Sequence, residues 1–231
     1  MPAAQLDVLR VFVAPDGRGG NPLGVFLEPG ALIGSERPVA ADLGFSETVF
    51  VLDRESARLR IFTPAVELPL AGHPLVGTSW LLHRESFAPA VLRPPAGDVP
   101  TWQEADLTWI RADPEAAPDF DLVQLESAEA VDALTGSPDG GGKTVAWAWD
   151  DEPSGAVRVR AFLPDLGIRE DEATGAAALR LCAHVGRAVE IRQGTASVLY
   201  ASPAEDGRVE LGGRVEALDR RPYGAPSPAG S

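Results

Sequence analysis

The chain has 231 residues, of which 45% are hydrophobic, with 20 basic and 34 acidic side chains. The formal net charge of −14 repels phosphate backbones and anionic lipids, so neither nucleic acid nor a membrane surface is an expected partner. The single cysteine, Cys182, excludes an internal disulfide, a cysteine zinc cluster and any racemase mechanism that needs two opposed thiols.

The first third of the chain predicts paired strands. Residues 1–13 lack the basic head and the cleavage site of a secretory signal, and no apolar run approaches the roughly 20 residues that span a bilayer, so we expect a cytoplasmic protein. Strands 6–13 and 23–27 flank a cluster of Gly, Asn and Pro that is typical of a hairpin turn. A phosphate-binding loop is the alternative, but no helix with a lysine follows. Strands 48–52 and 59–62 form the next pair.

The rest of the chain predicts a second unit of similar build. Segment 113–118 suits no regular structure, which divides the chain into an N-terminal lobe of residues 1–114, a C-terminal lobe of 115–221 and a disordered tail of 222–231. Ser127 is expected to cap a short helix that runs to 134. The remaining strands are predicted at 99–102, 107–110, 120–125, 144–149, 189–192, 197–201 and 209–215, with a glycine-rich turn at 139–142.

A short pattern occurs twice, one hundred positions apart. The Arg-x-Phe-x-Pro sequence that begins at Arg60 recurs at Arg160, and each copy precedes a helical run that is apolar on every side, at 75–82 and 177–185. Such self-similarity predicts an α+β fold of two pseudo-symmetric lobes, each a curled, largely antiparallel sheet around a central buried helix. Each lobe then presents a helix N-terminus, and we expect the function to lie between the lobes.

Glu47 is the candidate proton shuttle. Its strand continues with the apolar residues 49–52. A carboxylate walled by such a strand loses hydration, which raises its pKa towards the working pH and lets it take and return a proton. The alternative is a strand-edge glutamate that points to water.

Two further candidates lie at the expected helix starts. Pro74 suits the first helical position, so His73 should be the N-cap residue, in surroundings that favour neutral imidazole. Asp171 precedes the second helix, where the helix dipole alone can account for an acidic residue. A metal site of Glu170, Asp171 and Glu172 is discounted because consecutive residues rarely converge on one ion, so no metal is expected.

Other reactive residues receive structural assignments. His83 and His184 lie near the helix ends, where they can pair with free carbonyls, and Cys182 lies mid-helix in the core. Ser46 could join the histidine and aspartate above in a hydrolase triad, but no strand-turn-helix nucleophile elbow surrounds it.

Four segments together resemble one family. They are 20–26 (GNPLGVF), 46–50 (SETVF), 67–74 (ELPLAGHP) and 170–175 (EDEATG). In this order they resemble the PhzF-like phenazine-biosynthesis isomerases, relatives of diaminopimelate epimerase. The resemblance covers most of the first lobe and, in the second, residues 158 to about 194.

The resemblance implies a diaminopimelate epimerase-like fold with a cofactor-free site between the lobes, and a homodimer. In the phenazine enzyme the matching glutamate carries a proton from C3 to C1 of 2,3-dihydro-3-hydroxyanthranilate, which implies Glu47 as shuttle with His73 and Asp171 as catalytic partners. The residues implied for substrate binding are Asn21, Ser46, Gly72, Gly175 and Ala176, with the helix-start amides holding a carboxylate. Without a second thiol, one-base transfer by Glu47 on a single substrate face is favoured.

The chain also departs from the family pattern around the expected cleft. Ala176 stands where the phenazine enzyme has a serine, the second lobe is shortened before Thr144, and a longer Gly-Arg-Pro-Ser stretch is missing near 193–197. We therefore expect a cofactor-independent isomerase that moves a proton on a small carboxylate-bearing metabolite, with its own specificity. The alternative is a catalytically silent protein that binds a small acid in the same cleft.

Overall fold

Strands dominate the computed structural model, which describes residues 3–138, 140, 142–166 and 168–224. The helices in that part are α1 Glu36–Leu43, α2 Gly72–Arg84, α3 Ala128–Asp132 and α4 Gly175–Val185, with 3-10 turns at Gly30–Leu32, Pro114–Ala116 and Pro164–Leu166. The strands there are β1 Ala4–Val13, β2 Gly19–Phe26, β3 Glu47–Asp53, β4 Arg58–Phe62, β5 Glu67–Leu68, β6 Val91–Leu92, β7 Val99–Glu104, β8 Leu107–Ala112, β9 Asp121–Gln124, β10 Thr144–Asp151, β11 Ala156–Leu163, β12 Ile168–Asp171, β13 Val189–Gln193, β14 Ser197–Pro203 and β15 Val209–Tyr223.

The described strands form one connected sheet, whose main path runs β5-β4-β3-β2-β1-β15-β14-β13-β11-β10-β9. The predicted β1–β2 hairpin and the predicted β3–β4 pair are both confirmed. Near the end of the chain, β15 pairs with β14 of the second lobe and with β1 and β8 of the first. The two expected lobes therefore share a strand, and their division at residue 114 stays a prediction.

The repeated Arg-x-Phe pattern makes the same contacts in both lobes. Arg60 of β4 donates two hydrogen bonds of 2.7 Å to Glu67, and Arg160 of β11 donates two of 2.7 Å to Glu170. Each guanidinium also lies over the phenylalanine two residues later, 4.8 Å from the ring centroid in the first lobe and 5.0 Å in the second. Planar, two-pronged pairing fixes geometry as well as charge, so the pattern holds β5 and β12 in equivalent places. The pseudo-symmetric α+β build is confirmed.

The two central helices are buried as predicted. α2 exposes little beyond its last turn, and α4 buries most of its first eight residues. One hydrophobic cluster combines side chains of both helices, such as Leu75 and Leu179, with strands from both lobes. A second cluster, in which Phe26 stacks on Phe50 and Phe62 meets Phe50 edge-on, packs under α1. Within the described ranges, no helix has the length and apolar character needed to cross a bilayer.

The expectation that His73 is an N-cap residue is wrong. α2 begins at Gly72 with Ala71 as its N-cap, so His73 and Pro74 are the second and third helical residues. The first intrahelical bond runs from Leu75 N to Ala71 O, at 3.3 Å. Proline is tolerated throughout the first turn, because the N–H it lacks would have no helical partner there. The His73 side chain therefore projects from the first turn of α2 and not from a cap position.

β15 is longer than predicted, since it runs to Tyr223 rather than ending at 215. Residues 216–222 are exposed and mostly charged, so they lack the apolar alternation that marks a strand. Pairing with β1 holds them, assisted by the ion pairs Arg10–Glu216 at 2.5 Å and Arg220–Asp7 at 2.6 Å. The predicted disordered tail of 222–231 therefore begins with the last two residues of a strand. Residues 225–231 lie outside the described residues. Residues 139 and 141 of the predicted glycine-rich turn also lie outside them. α1, β5, β6 and β12 lie outside the predicted elements, and α3 ends short of 134.

His83 and Cys182 have the structural surroundings expected of them, whereas the contact of His184 is with an aromatic ring and not with a carbonyl. His83 Nδ1 donates to Ser79 O at 2.9 Å, near the end of α2. The His184 ring lies edge-on to Trp147, 6.2 Å between centroids. Cys182 is fully buried, and burial raises the pKa of its thiol to about 12, as expected of an inert core residue.

Candidate active site

Glu47 and His73 meet between β3 and α2. Glu47 is the first residue of β3, which pairs in parallel with β2, and His73 lies in the first turn of α2. The Oε2 atom of Glu47 lies 3.4 Å from Nδ1 of His73, and their side chains are 17% and 4% exposed. Glu47 is therefore not a strand-edge glutamate that points to water.

Burial sets the protonation states of this pair. It raises the pKa of Glu47 to about 7, against a smaller opposite effect of the adjacent Ser46 hydroxyl. It lowers the pKa of His73 to about 4, against the opposing effects of the Asp171 charge and the Pro22 backbone. Because the imidazole is the weaker base of the two, a proton that either group could bind stays on Glu47. The contact joins a neutral imidazole to a carboxyl group and is not an ion pair.

Two polar atoms in this pair have no hydrogen-bond partner among the described residues. They are Oε2 of Glu47 and Nε2 of His73, and both are buried. Buried polar atoms are nearly always satisfied, and each exception calls for an explanation. A bound substrate that hydrogen-bonds to both atoms supplies one.

The N-termini of α2 and α4 touch beside this pair. A Cβ atom on Gly175 would lie 2.9 Å from Gly72 Cα and 2.9 Å from His73 N, so only glycine fits. Neither helix start has a side-chain cap. Unpaired amides at two adjacent helix starts attract an anion. Ala176, the second residue of α4, is partly buried next to them.

A network of short hydrogen bonds surrounds Asp171, which is 9% exposed at the end of β12. Its Oδ1 accepts from Asn21 Nδ2 at 2.8 Å, and its Oδ2 accepts from Thr174 Oγ1 at 2.7 Å. Burial, followed by the charge of Glu47, raises the pKa of Asp171 to about 6, while the two hydrogen bonds oppose this. Glu47 and His73 both act on this pKa, so the structure brings all three predicted catalytic residues together.

Asn21 and Ser46 contribute differently from the sequence-based expectation. Asn21 donates to Asp171 and to Ala173 O at 3.0 Å, and its Oδ1 accepts from Ser46 Oγ at 3.4 Å. The Asn21 amide is thus engaged by the protein itself and positions Asp171 across the lobes. Since Ser46 contacts Asn21 and His73 faces Glu47, the serine–histidine contact of a hydrolase is not formed.

The discounted acidic cluster does not converge. Glu170 pairs with Arg160, and Glu172 accepts from Thr195 N and from Ser197 Oγ, the latter at 2.8 Å. Within the described part of the chain, no group of three or more His, Cys, Asp or Glu side chains is arranged to hold a metal ion.

Gln193 and Thr174 are site residues that the sequence analysis missed. Gln193, at the end of β13, is 1% exposed and hydrogen-bonds to both Thr174 and the backbone of Asp171. Thr174 lies inside segment 170–175, one of the four that resemble the family, but it has no acid or base group of its own. A buried glutamine before a glycine turn gives no signal of chemistry in the sequence, so only the fold reveals it.

Comparison with known proteins identifies the family. Residues 11–137, more than half of the chain, match the family model described as phenazine biosynthesis-like protein. The trans-2,3-dihydro-3-hydroxyanthranilate isomerase of Pseudomonas aeruginosa is 33% identical to this chain, in an alignment that covers 76% of this chain and 77% of that protein. The chain belongs to the phenazine biosynthesis-like (PhzF) family.

Solved structures share the PhzF fold. A PhzC/PhzF protein from Clostridium difficile superposes with a TM-score of 0.79 at 17% identity, covering 96% of this chain and all of the other. A protein described as a predicted epimerase from Pseudomonas aeruginosa gives 0.71 at 24% identity, covering 95% and 99%. The expected epimerase-like fold and the resemblance are confirmed, and this PhzF protein is an isomerase.

Proposed function

We propose that this PhzF protein uses Glu47 to move a proton on one face of a small carboxylate-bearing substrate, of the trans-2,3-dihydro-3-hydroxyanthranilate type. The observation that carries the proposal is the buried pair of Glu47 and His73, which keeps an unpartnered oxygen and an unpartnered nitrogen together. A glutamate with a pKa of about 7 can both accept and return a proton near neutral pH.

The other groups have supporting roles in this proposal. Neutral His73 orients the substrate by a hydrogen bond, since a pKa of about 4 makes it a poor proton carrier at neutral pH. The uncapped amides of Gly72, His73, Gly175 and Ala176 hold the substrate carboxylate. Asp171 supplies a fixed negative charge beside a substrate amine or hydroxyl.

The proposal retains three further expectations from the sequence. The reaction needs no cofactor, because a proton is taken up and returned by one side chain. The protein acts in the cytoplasm as a homodimer. Ala176, which lacks a hydroxyl, leaves the substrate contact at that helix start to backbone N–H groups alone.

Hydrogen exchange tests the role of Glu47. Trans-2,3-dihydro-3-hydroxyanthranilate and related small acids are incubated with the protein in D₂O, and deuterium at carbon is measured by NMR. Glu47→Gln keeps the side-chain shape and should lower exchange by about 10²- to 10⁴-fold while ligand affinity changes little. Glu205→Gln, at an exposed loop position, is the matched control and should behave as wild type.

Two outcomes would contradict the proposal. Exchange at the wild-type rate in Glu47→Gln would remove Glu47 from the mechanism. Saturable acid binding by the wild type, with no exchange in any ligand and equal affinity in Glu47→Gln, would instead favour the silent binding protein.

A further inference from the structure

The hydrogen bonds around Asp171 have directions that the backbone determines. Gln193 Oε1 accepts from Thr174 N at 3.1 Å, and Gln193 Nε2 donates to Asp171 O at 3.0 Å. A backbone N–H can only donate and a backbone carbonyl can only accept, so the Gln193 amide has one possible orientation. The same argument fixes Asn21, whose Nδ2 faces the Ala173 carbonyl.

The orientation of Gln193 then fixes the hydroxyl of Thr174. Gln193 Nε2 also donates to Thr174 Oγ1 at 2.9 Å, so this oxygen accepts from the glutamine. The single hydroxyl proton of Thr174 is thereby directed to Asp171 Oδ2, at 2.7 Å. Asn21 Nδ2 donates to the other carboxylate oxygen at 2.8 Å. Both oxygens of Asp171 therefore accept hydrogen bonds, one from an amide nitrogen that can only donate and one from a hydroxyl whose proton is directed to it.

We propose that Gln193 and Thr174 are positioning residues that hold Asp171 as an ionised acceptor, so that Glu47 alone carries the mobile proton of the site. The inference rests on the proposed function for the role of Glu47, whereas the state of Asp171 follows from geometry. A protonated Asp171 needs an acceptor for its proton. Thr174 Oγ1 can accept that proton only if its own hydroxyl proton turns away from Asp171 and loses its acceptor there.

The groups around Asp171 agree with an ionised Asp171 and a proton carried by Glu47. Glu47 of β3 and His73 of α2 are the titratable groups that face it from other elements. The acidic neighbours on its own segment are turned away, Glu170 to Arg160 and Glu172 to the amides of 195–196. Burial raises the pKa of both carboxyls, and a negative charge on one disfavours ionisation of the other. The hydrogen bonds that Asp171 accepts from Thr174 and Asn21 lower its pKa, so they favour ionisation of Asp171 and leave the proton on Glu47.

The test is a direct titration of the Asp171 carboxyl by carbon-13 NMR, with the resonance identified through Asp171→Asn. Thr174→Val removes the donated hydrogen bond at nearly constant shape and should raise the Asp171 midpoint by about one to two pH units. Thr174→Ser keeps the hydroxyl and should restore the wild-type midpoint. Thr135→Val, at an exposed position, is the matched control.

Gln193→Glu tests the direction of the network. A carboxylate at 193 accepts the Thr174 hydroxyl proton, draws it away from Asp171 and adds a negative charge beside it, so the Asp171 midpoint should rise further than in Thr174→Val. In both variants the acid limb of the kcat/KM profile should move to higher pH with the NMR midpoint, a change that a merely structural role would not produce.

Results that overturn the inference are equally specific. An Asp171 midpoint above that of Glu47 in the wild type, or one unmoved in Thr174→Val, would refute it. If Gln193→Glu does not fold, the valine and serine variants at 174 decide. If the midpoints move as expected but exchange does not need Glu47, the proposed function is wrong and the network stands.

Discussion

Replacing Glu47 by glutamine should stabilise the protein at high pH, because the native state holds this carboxyl in a site that disfavours its charge. Burial raises its pKa from 4.5 to about 7. The native state therefore binds the proton more tightly than the unfolded chain. A raised carboxyl pKa favours the native state below the unfolded value, and this advantage is lost as pH rises through the native value.

The magnitude follows from the size of the pKa change. A change from 4.5 to about 7 corresponds to about 3 kcal/mol of unfolding free energy when the carboxyl is fully ionised, at about 1.4 kcal/mol per pKa unit. About 2.5 kcal/mol of this falls between roughly pH 5 and pH 8.5. His73 titrates in the opposite sense, since its lowered pKa removes stability as pH falls from 6.5 towards about 4. Both proteins contain His73, so its contribution largely cancels in the comparison.

Urea denaturation at pH 5 and pH 8.5 measures the effect. The unfolding free energy of Glu47→Gln, relative to wild type, should be higher at pH 8.5 than at pH 5 by about 2.5 kcal/mol, with equal slopes against urea. Glu205→Gln, which removes an exposed carboxyl, should show almost no such difference. If the unfolding free energy of Glu47→Gln relative to wild type is the same at both pH values, this carboxyl is hydrated in solution. The proposed proton shuttle would then lose its physical basis.

Two further predictions concern the packing around the site. Gly175→Ala places a methyl group 2.9 Å from Gly72 Cα and from His73 N, so it should lower the unfolding free energy by about 1–3 kcal/mol in urea titrations. Gly136→Ala, with nothing within 4 Å of the new atom, is the control, and equal effects of the two would contradict the contact. Cys182 should not react with a disulfide reagent until the protein unfolds, given its burial and a pKa of about 12. Rapid labelling of the native protein would place the thiol at the surface.

The sequence predicted the fold wherever side-chain patterns determine the structure. The Arg60 and Arg160 repeats, the apolar helices and the alternating strands are local signals with long-range consequences, and each was found in the structure. The second half of β15 was not predicted, because its exposed residues are held by backbone pairing to β1. Pairing between segments more than 200 residues apart has no local signature in the sequence.

The candidate site shows the same difference between local signals in the sequence and contacts that only the fold creates. Glu47 could be predicted because its own neighbours form the apolar wall that perturbs it. Gln193 could not, since its importance comes from a threonine and an aspartate about 20 residues earlier that only the fold brings to it. His73 was identified by its neighbours, although its exact helical position was not, because proline is accepted at more than one place in the first turn.

The pseudo-symmetry of the fold sharpens the argument for a single proton carrier. Strand register and the first helical glycines equate the two lobes position by position, and the counterparts are Lys143 for Glu47, Ala176 for His73 and Leu68 for Asp171. The backbone arrangement is thus repeated in the two lobes, whereas the catalytic side chains are not. Two-base inversion needs an acid and a base on opposite faces of a substrate, which symmetric lobes could supply by repeating one residue. Here the position equivalent to Glu47 carries no acid, which agrees with the proposed transfer by one carboxyl on one face.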